Sequence, residues 1–501
     1  MKLKELQNGS DIRGIATGAD ANLTPSEAEV LGAAFALWLR ARTGKTDMRI
    51  ALGRDSRVSG PALLDACAAG LQDMGADVLD CGMASTPAMF MATVYDETDA
   101  DGAIMVTASH LPMNRNGLKF FTRSGGLEKE DIQAIIDLAE GGTLKPADRH
   151  GTRTETNLID LYTADLVRQV RSATGSETPL AGLHIIVDAG NGAGGFYAEK
   201  VLAPLGADVS GSQFLDPDGT FPNHIPNPEN ADAMASIVGA VKNAQADFGI
   251  IFDTDVDRAG AVDADGTVLN RNRLIALLAA ILLEENPGTT IVTDSVTSDG
   301  LADFIAGRGG RHHRFKRGYR NVINESIRLN NAGEDSALAI ETSGHAAFRD
   351  NYFLDDGAYL ITRLLIQLAR QHAGGGTLSD LIADLAEPAE STEIRLDITD
   401  LDYRAYGEQI IHDLETAAVA SEGVQVAPDN YEGVRLAFDD THGSGWLLLR
   451  LSLHEPLMPV NIESTRPGGV RQMAQFLANF LRKYDKLDQA PLVDFLSSAQ
   501  H

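Results

Sequence analysis

Cysteine is nearly absent from this chain: its 501 residues include only two, Cys67 and Cys81. Two thiols are too few for the disulfide framework of a small secreted protein, so a reducing cytoplasm is the expected compartment. Long apolar runs are also missing. A membrane-spanning helix needs about 20 apolar residues, and the longest runs here, such as Leu274 to Leu283, are shorter. The opening residues, Met1 to Gly9, contain no basic-then-apolar leader. We therefore expect neither a membrane protein nor a secreted one.

Positively charged residues are also few in this chain. The 42 lysines and arginines face 71 aspartates and glutamates, which gives a net charge of −29. Such a chain is disfavoured as a partner of nucleic acids and anionic membranes, because both carry dense negative charge. Residues 311–320 form the densest basic segment, and nucleic-acid binding is the alternative interpretation that the net charge argues against. An anionic small-molecule substrate would need a locally basic pocket.

Strand and helix patterns alternate over most of the chain. Thr24 to Glu27 is a capping box that predicts a helix to about Arg42, and a strand is predicted at residues 49–52. After Gly374 the pattern changes to strands joined by short turns, with a helix at each end. Because the chain is too long for one core, we predict three mixed-sheet α/β domains and a C-terminal α+β domain with an antiparallel sheet. The predicted domains are residues 1–150, 151–268, 269–385 and 386–501.

One stretch, residues 102–122, combines the features of a catalytic loop. An apolar run of strand formers leads to Ser109 and His110, and a loop then reaches Lys119 in the next apolar run. We expect the strand to stop at Ser109 and to present its hydroxyl at the rim of a sheet. Ser109 and Lys119 would then lie at opposite ends of one loop, so that a nucleophile or phosphate carrier faces a cation. An ordinary turn with a capping serine is the alternative, since Ser-His neighbours are common.

Three aspartates, Asp253, Asp255 and Asp257, follow an apolar strand at every second position. In extended backbone this spacing places the carboxylates on one side, where hard oxygen ligands suit Mg²⁺. An EF-hand is excluded, because Arg258 stands where glycine is needed and Ala264 stands where the bidentate glutamate should be. A phosphatase of the Asp-x-Asp type fits poorly because of Asp257. A solvated acidic turn is the remaining alternative.

The glycines Gly190, Gly192 and Gly195 satisfy the G-x-G-x-x-G pattern after a predicted strand, which is typical of dinucleotide binding. Two observations count against that function. Asp188 would bring a carboxylate to the pyrophosphate, and Asp208 precedes the second strand instead of ending it. A dinucleotide site is therefore the disfavoured alternative.

The motif Thr-Ala-Ser-His-x-Pro-x-x-x-Asn-Gly-x-Lys, residues 107–119, resembles the phosphoserine loop of the α-D-phosphohexomutases, the phosphoglucomutase and phosphomannomutase family. The resemblance implies four domains around a central cleft and a phosphoryl group carried by Ser109. The run that begins at Asp253 resembles the family's Asp-Gly-Asp-Gly-Asp-Arg metal loop, with Thr254 and Val256 in place of the glycines. It implies that Mg²⁺ binds the three aspartates and Ser109.

Two further segments resemble loops of the same family. Residues 341–345, Glu-Thr-Ser-Gly-His, are similar to the sugar-specificity loop, whose carboxylate and hydroxyl suit vicinal sugar hydroxyls. Residues 450–456 take the place of the phosphate-binding loop. Their arginine and serine match it, whereas Leu453 and His454 depart from its pattern. Leu453 removes a polar or closely approaching contact of that loop, whereas His454 could bind phosphate as a hydrogen-bond donor.

Other positions near the expected site depart from the family pattern. The Lys-x-Gly-x-x portion of residues 316–320 resembles an active-site loop in which histidine often stands at the place of Tyr319. Val296 stands where several members have lysine. Both departures suggest a substrate other than glucose 1-phosphate. Residues 466–471 could bind an anion at a helix start, although helix initiation is the favoured role.

The resemblance also gives roles to residues outside these loops. Arg13, Arg54 and Arg57 supply further cations near the first loop in family members, with surface salt bridges as the alternative. The glycine stretch 190–195 and the segment 218–228 are structural features of the family's second domain.

The resemblance implies a phosphohexomutase, an intramolecular phosphotransferase of the phosphoglucomutase/phosphomannomutase type. It would interconvert hexose 1-phosphate and hexose 6-phosphate through a phosphoserine and a bisphosphorylated sugar. Mg²⁺ is the expected cofactor, glucose 1,6-bisphosphate or another hexose bisphosphate the activator, and a small sugar phosphate the partner. The alternatives are a non-catalytic sugar-phosphate-binding relative and a Mg²⁺-dependent sugar phosphatase.

The residues expected to act fall into three groups, and two choices stay open. The hexose is glucose, mannose or an amino sugar, and the chain is a monomer or a homodimer. The expected catalytic residues are Ser109, Lys119, His345 and Arg13, and Lys119 or His345 handles the proton. The expected metal ligands are Ser109, Asp253, Asp255 and Asp257. The expected substrate contacts are Arg258, Lys316, Arg320, Glu341, Ser343, His345, Arg450, Ser452 and His454.

Overall fold

The structure is a computed structural model that describes residues 2–142, 144–428, 430–452 and 455–498. It divides into two compact units. Unit 1 comprises Met1–Asn270 and Ser343–Asp380, and unit 2 comprises Arg271–Thr342 and Leu381–His501. Within the described ranges, no helix combines the length and the apolar character that a bilayer span requires. The four domain boundaries given above stay predictions.

Strands and helices alternate through most of the chain, as its patterning predicts. The strands are β1 (Gln7–Asn8), β2 (Asp11–Ile15), β3 (Arg49–Arg54), β4 (Asp77–Met83), β5 (Gly102–Val106), β6 (Arg115–Thr122), β7 (Gly125–Gly126), β8 (Arg153–Glu155), β9 (Ile185–Asp188), β10 (Phe248–Phe252), β11 (Ala259–Asp263), β12 (Thr290–Thr293), β13 (Arg311–Arg314), β14 (Ser336–Ile340), β15 (Ala346–Phe348), β16 (Leu354–Asp355), β17 (Glu390–Asp397), β18 (Val424–Val426), β19 (Val434–Phe438), β20 (Gly445–Leu449) and β21 (Leu457–Ser464). The α-helices are α1 (Pro25–Thr43), α2 (Gly60–Asp73), α3 (Thr86–Met91), α4 (Lys129–Glu140), α5 (Leu158–Thr174), α6 (Ala231–Ala244), α7 (Asn272–Glu285), α8 (Asp299–Gly307), α9 (Tyr319–Asn331), α10 (Gly357–Gly374), α11 (Tyr403–Val419), α12 (Gly469–Leu481) and α13 (Ala490–Ser497).

The first sheet of unit 1 is mixed and has the strand order β1-β2-β6-β5-β3-β4-β8, with β7 paired to β6. β3 is parallel to β4 and β5, whereas β6 runs antiparallel to β2 and β5. Helix α1 begins at the predicted capping box of Thr24 and Glu27. Phe35 of α1 packs against Phe120 of β6, with ring centroids 5.0 Å apart. Both are buried, so the helix and the sheet share one hydrophobic core.

The remainder of unit 1 is a second α/β region. Its sheet has the order β11-β10-β9, with β9 parallel and β11 antiparallel to β10. Every residue of β10 is buried, which explains why its sequence is continuously apolar. The Tyr162 hydroxyl of α5 donates to Asp356, the residue that caps the N-terminus of α10. The end of β10 and the aspartates that follow it are buried in the interior of unit 1.

Unit 2 combines a parallel strand trio with the antiparallel C-terminal sheet. β12 lies between β13 and β14 and is parallel to both. The C-terminal sheet has the order β17-β21-β20-β19-β18 and is antiparallel throughout, which confirms the predicted fold class. The Arg435 guanidinium of β19 lies 3.7 Å from the Trp446 ring centroid and donates to the carbonyls of Ser295 and Thr297. Arg435 therefore ties the C-terminal sheet to the loop after β12.

Candidate active site

Ser109 lies in a tight turn after β5. The strand ends at Val106 and not at Ser109 as expected. Ser109 itself has φ = +50°, a left-handed conformation outside the extended range. The Thr107 hydroxyl accepts the Ser109 N–H at 2.9 Å and fixes this turn. The Ser109 hydroxyl, in a residue that is 3% exposed, donates to Asp253 Oδ2 at 3.1 Å. A nucleophilic oxygen therefore lies against the first of the three aspartates.

Lys119 lies within β6, opposite Met105 of β5. The expectation that it ends the loop is wrong, because β6 already begins at Arg115 through its antiparallel pairing with β2. Its ammonium lies 3.1 Å from Asp255 Oδ2 and 2.5 Å from Asp257 Oδ2. A strand residue, held more rigidly than a loop residue, thus delivers positive charge to the aspartates.

The three aspartates, called the metal cluster below, are Asp253, Asp255 and Asp257. One carboxylate oxygen of each lies within 4.8 Å of the others. The expected extended backbone is wrong: Val256 has φ = +68°, and the Arg258 N–H donates to Asp253 Oδ1, which closes a turn. Left-handed backbone at a valine costs about 1–2 kcal/mol, and Val256 stands where the resemblance has glycine. The carboxylates converge through this turn instead of through strand periodicity.

The metal cluster fits a hard divalent cation. All three carboxylates are buried, and within the described chain Asp255 Oδ1 and Asp257 Oδ1 have no hydrogen-bond partner. A buried carboxylate oxygen without a partner is costly, and coordination to Mg²⁺ would satisfy it. Burial and the neighbouring Asp257 raise the pKa of Asp253 well above its ordinary value. Burial acts in the same direction on Asp257, but Lys119 and other cations hold its pKa below the ordinary value.

Arg258 follows the cluster and is almost fully buried. Its Nε donates to Asp253 Oδ2 at 3.1 Å and its Nη1 to Asn227 Oδ1 at 3.2 Å. Its Nη2 is buried and makes no hydrogen bond within the described residues. The guanidinium therefore balances the charge of Asp253 and keeps one donor for an anionic group.

His345 belongs to the same unit and pairs through its backbone with Arg258. Its Nδ1 lies 2.5 Å from Asp355 Oδ2. Burial disfavours the imidazolium, but Asp355 and Asp257 together raise the pKa of His345 to about 9. Ser343, also in unit 1, is buried. The structure therefore brings His345 to the metal cluster, whereas Glu341 of the same motif belongs to unit 2.

The arginines of the first region differ in environment. Arg13 Nη2 donates to Asp11 Oδ2 at 2.9 Å and is partly exposed. Arg54 donates to the carbonyl of Asp55. Arg57 is completely buried, so a surface salt bridge is wrong for this residue. Its Nε lies 3.2 Å from Asp55 Oδ2, and burial raises the pKa of that carboxyl to about 6.

In unit 2, Glu341 follows β14 and binds the basic segment predicted to be functional. Its Oε1 accepts the N–H of Gly318 at 2.6 Å. Lys316 lies with its ammonium 6.0 Å from the Phe315 ring centroid, and Arg320 is in the first turn of α9. The structure therefore brings a carboxylate and a cationic loop together at the end of the parallel strands.

The segment of unit 2 that the resemblance predicts to bind phosphate, residues 450–456, begins beside Glu432. Arg450, which is buried, has its Nη1 3.8 Å from Glu432 Oε1. Glu432 Oε2 also accepts from the Ser295 hydroxyl at 2.6 Å and from the Arg317 N–H at 3.1 Å. The Ser452 hydroxyl accepts the N–H of Glu455. His454 and its neighbour Leu453 lie outside the described residues.

Comparison with known proteins gives three family matches in chain order. The α/β/α domains I, II and III of phosphoglucomutase/phosphomannomutase match residues 4–145, 160–266 and 270–389. The phosphoglucomutase of Neisseria gonorrhoeae is 31% identical over 471 residues, which are 94% of this chain and 95% of the relative. The chain belongs to the phosphoglucomutase/phosphomannomutase family.

Two further proteins support membership in the phosphoglucomutase/phosphomannomutase family. The phosphomannomutase/phosphoglucomutase of Pseudomonas syringae pv. tomato is 31% identical over 442 residues, 87% of this chain and 88% of the relative. A crystal structure of a family protein from Burkholderia thailandensis has a TM-score of 0.80 and 29% identity, and covers 96% of this chain and 98% of its own. These names support a phosphohexomutase enzyme, and the non-catalytic and phosphatase alternatives are not favoured.

One departure from the family pattern has a structural explanation. Val296, expected where members have lysine, is 4% exposed and packs against Trp446 and Leu448. A lysine there would place its ammonium among apolar side chains or force them apart. In this family member Val296 therefore adds apolar contact between the loop after β12 and strand β20.

Two alternative ligand sites are excluded by occupied hydrogen-bond donors. Asp188, before the glycine stretch, is buried, accepts the Gly190 N–H at 2.9 Å and lies 3.0 Å from His224. A carboxylate thus occupies the place that a pyrophosphate would need, which argues against the dinucleotide alternative. At the start of α12 the Glu390 carboxylate accepts the N–H groups of Gly468 and Val470, so this segment initiates a helix.

Sequence reasoning missed residues that orient the site from a distance along the chain. Thr86 donates its N–H to the carbonyl of Asp255 at 2.8 Å and its hydroxyl to Asp255 Oδ2 at 2.5 Å. Asp355 orients His345, and Glu432 gathers the cationic loops of unit 2. The available signals were weak: Thr86 precedes a proline at a helix start, and Asp355 is one acidic residue among many.

Proposed function

We propose that the chain interconverts hexose 1-phosphates and hexose 6-phosphates, with Ser109 as the carrier of the phosphoryl group. The proposal rests on the arrangement of three groups. The buried Ser109 hydroxyl lies 3.1 Å from Asp253 Oδ2, and the Lys119 ammonium contacts the other two carboxylates of the metal cluster. Membership in a phosphohexomutase family supports it. The reaction would belong to class 5.4.2, the intramolecular phosphotransferases.

The proposed reaction consists of two phosphoryl transfers. In the first, the P–O bond to Ser109 breaks and a P–O bond forms to the free hydroxyl of a bound hexose phosphate. The bisphosphorylated sugar then turns over and returns its other phosphoryl group to Ser109. Lys119 and Arg258 provide fixed positive charge beside the transferring group, where charge neutralisation matters more than covalent help. Mg²⁺ held by the metal cluster would supply further neutralisation.

Each transfer also moves a proton, since the accepting hydroxyl loses one and the departing oxygen takes one. The departing oxygen belongs to Ser109 in the first transfer and to the sugar in the second. Lys119 and His345 are the proposed proton carriers, because both lie at the metal cluster. Asp355 orients His345, whereas the cluster's carboxylates orient Lys119. Arg13 completes the proposed catalytic set. Replacing Lys119 or His345 singly would identify the carrier, because its loss removes one limb of the pH profile of kcat.

The proposed substrate contacts match the chemistry of a sugar phosphate. Glu341 and Ser343 would accept and donate hydrogen bonds to vicinal hydroxyls, and Arg450 with Ser452 would hold a phosphate. The remaining proposed contacts are Arg258, Lys316, Arg320, His345 and His454. A hexose bisphosphate such as glucose 1,6-bisphosphate would act as activator by phosphorylating Ser109.

We also propose a cellular setting and an assembly. The free and buried thiols of Cys67 and Cys81 suit the reducing cytoplasm. The chain would act as a monomer or a homodimer.

A coupled assay tests the proposed function. Hexose 1-phosphates of glucose, mannose and glucosamine are supplied one at a time with catalytic glucose 1,6-bisphosphate, and the 6-phosphate is measured. We expect turnover with at least one sugar, loss of it in Ser109→Ala, and retention in Ser124→Ala, whose serine lies in an exposed turn. Steady release of inorganic phosphate without a 6-phosphate product would contradict the mutase assignment.

A further inference from the structure

Arg57 is a buried residue of unit 1 whose guanidinium makes several hydrogen bonds to backbone carbonyls. Its Nη1 donates to the carbonyls of Pro112 and Arg115, each at 2.9 Å. Its Nη2 donates to the carbonyl of Leu111 at 2.6 Å and to that of Ser109. One guanidinium therefore gathers four carbonyls of the turn that presents Ser109.

An ion pair followed by two hydrogen bonds connects the same arginine to the amide of Ser109. Asp55, whose Oδ2 lies 3.2 Å from Arg57 Nε, accepts the Thr107 hydroxyl at 2.7 Å. That hydroxyl in turn accepts the Ser109 N–H at 2.9 Å. Arg57 thus holds the carbonyl side of Ser109 directly and its amide side through Asp55 and Thr107.

A segment of the second α/β region covers Arg57 from outside. The Phe221 ring centroid lies 5.3 Å from the guanidinium carbon. A Cβ on Gly219 would lie 2.4 Å from both Ser56 O and Val58 N, so only glycine permits this close approach. Arg57 is 0% exposed as a result. An anionic substrate has no access to this cation, which excludes a role in direct phosphate binding.

We propose that Arg57 is a positioning residue for phosphoryl transfer, which holds Ser109 in its left-handed turn with the hydroxyl aimed at the metal cluster. The inference rests on the proposed role of Ser109. The turn needs such a device, because φ = +50° is unfavourable for serine and buried backbone carbonyls need hydrogen-bond donors. A planar guanidinium can donate to several carbonyls at once in fixed directions, whereas an ammonium cannot.

The test uses the full-length protein with four single variants. Arg57→Lys keeps the positive charge but loses the branched set of N–H donors. Thr107→Val removes the hydroxyl that links Asp55 to the Ser109 amide. Thr107→Ser keeps the hydroxyl and serves as the conservative rescue. The matched control is Arg40→Lys, since Arg40 also donates to a backbone carbonyl, that of Met74, far from the turn.

Two measurements separate positioning from simple stability. Amide hydrogen exchange of residues 107–115 should accelerate at least about tenfold in Arg57→Lys and Thr107→Val, and should stay as in the wild type in Thr107→Ser and Arg40→Lys. The kcat for hexose 1-phosphate should fall about 100-fold in the first two variants, with KM changed by less than about threefold, because the turn presents the phosphoryl carrier and not the substrate contacts.

Each outcome decides the inference. Wild-type exchange and kcat in Arg57→Lys would overturn it, and so would faster exchange with an unchanged kcat. If Arg57→Lys does not fold, the comparison of Thr107→Val with Thr107→Ser decides in the same way. If the wild type shows no mutase activity, the proposed function fails, while the exchange rates still show whether Arg57 holds the turn.

Discussion

Glu463 gives unit 2 a stability that depends on pH in a predictable direction. Its carboxylate accepts the Trp446 indole N–H at 2.9 Å. Burial raises the pKa of Glu463 from 4.5 to about 7, although the Trp446 bond and the charge of Arg435 act in the opposite direction. A carboxyl with a raised folded pKa binds its proton more tightly when folded. Its stabilising contribution is therefore complete below pH 4.5 and is lost as the pH rises through about 7.

The magnitude follows from the size of the shift. A rise from 4.5 to about 7, at about 1.36 kcal/mol per unit, corresponds to about 3 kcal/mol between pH 4 and pH 8. Glu463→Gln keeps an acceptor for the indole and removes the charge. We expect the free energy of unfolding of the variant to match the wild type near pH 4 and to exceed it by about 3 kcal/mol at pH 8.

Trp446 provides the assay, because the chain has only two tryptophans, and Trp38 of unit 1 can be changed to phenylalanine. Urea titrations at several pH values, followed by Trp446 emission, then report unfolding of unit 2. Glu415→Gln, an exposed position on α11, is the control and should give the wild-type pH dependence. A difference between Glu463→Gln and the wild type that stays constant from pH 4 to pH 8 would refute the reasoning, since the Glu463 carboxyl would then have the same pKa in the folded and unfolded protein.

Three further predictions concern charges at the site and at a helix start. Asp255→Asn should weaken Mg²⁺ binding at least about tenfold by isothermal titration calorimetry, because a buried ligand loses its charge. Equal Mg²⁺ affinity in this variant and in the exposed control Asp265→Asn would contradict Mg²⁺ binding by the metal cluster. Lys119→Met should tighten Mg²⁺ binding while kcat falls, since the ammonium competes with the ion for carboxylates; weaker binding would show that Lys119 supports the site. Glu390→Ala should destabilise unit 2 by about 2 kcal/mol in the Trp446 assay, because two N–H groups of α12 lose a charged acceptor; an unchanged midpoint would mean that water replaces it.

The elements that local sequence controls were predicted well. The capping box at Thr24 starts α1, and the continuous apolar run of β10 ends immediately before the metal cluster, as expected from burial on both faces of the strand. Three carboxylates after an apolar strand predicted a cation site, and the structure brings these carboxylates together. These features depend on neighbours in the chain, where the physical rules are local.

The features that were missed depend on partners distant in sequence. Arg57 lies 52 positions before Ser109, and only the folded chain places its guanidinium under the turn. The left-handed backbone of Val256 could not be predicted either, since a β-branched residue disfavours that conformation and tertiary contacts impose it. The same holds for Lys119, whose position in a strand follows from the pairing of β6 with β2. Local propensity was overruled at the residues that the site uses.

The charges around the metal cluster explain how an acidic chain can accept a phosphoryl group. Lys119 and Arg258 pair directly with the cluster, and His345, charged up to a pH of about 9, adds a third positive group that is paired with Asp355. Burial raises the pKa of Asp253, and the neighbouring cations offset the negative charge of the cluster. A phosphoryl group on Ser109 would add close to two negative charges to this balanced interior. The unpartnered oxygens of Asp255 and Asp257 provide the place for a divalent cation that compensates them. Phosphorylation and metal binding should therefore favour one another, and neither is expected to be strong alone.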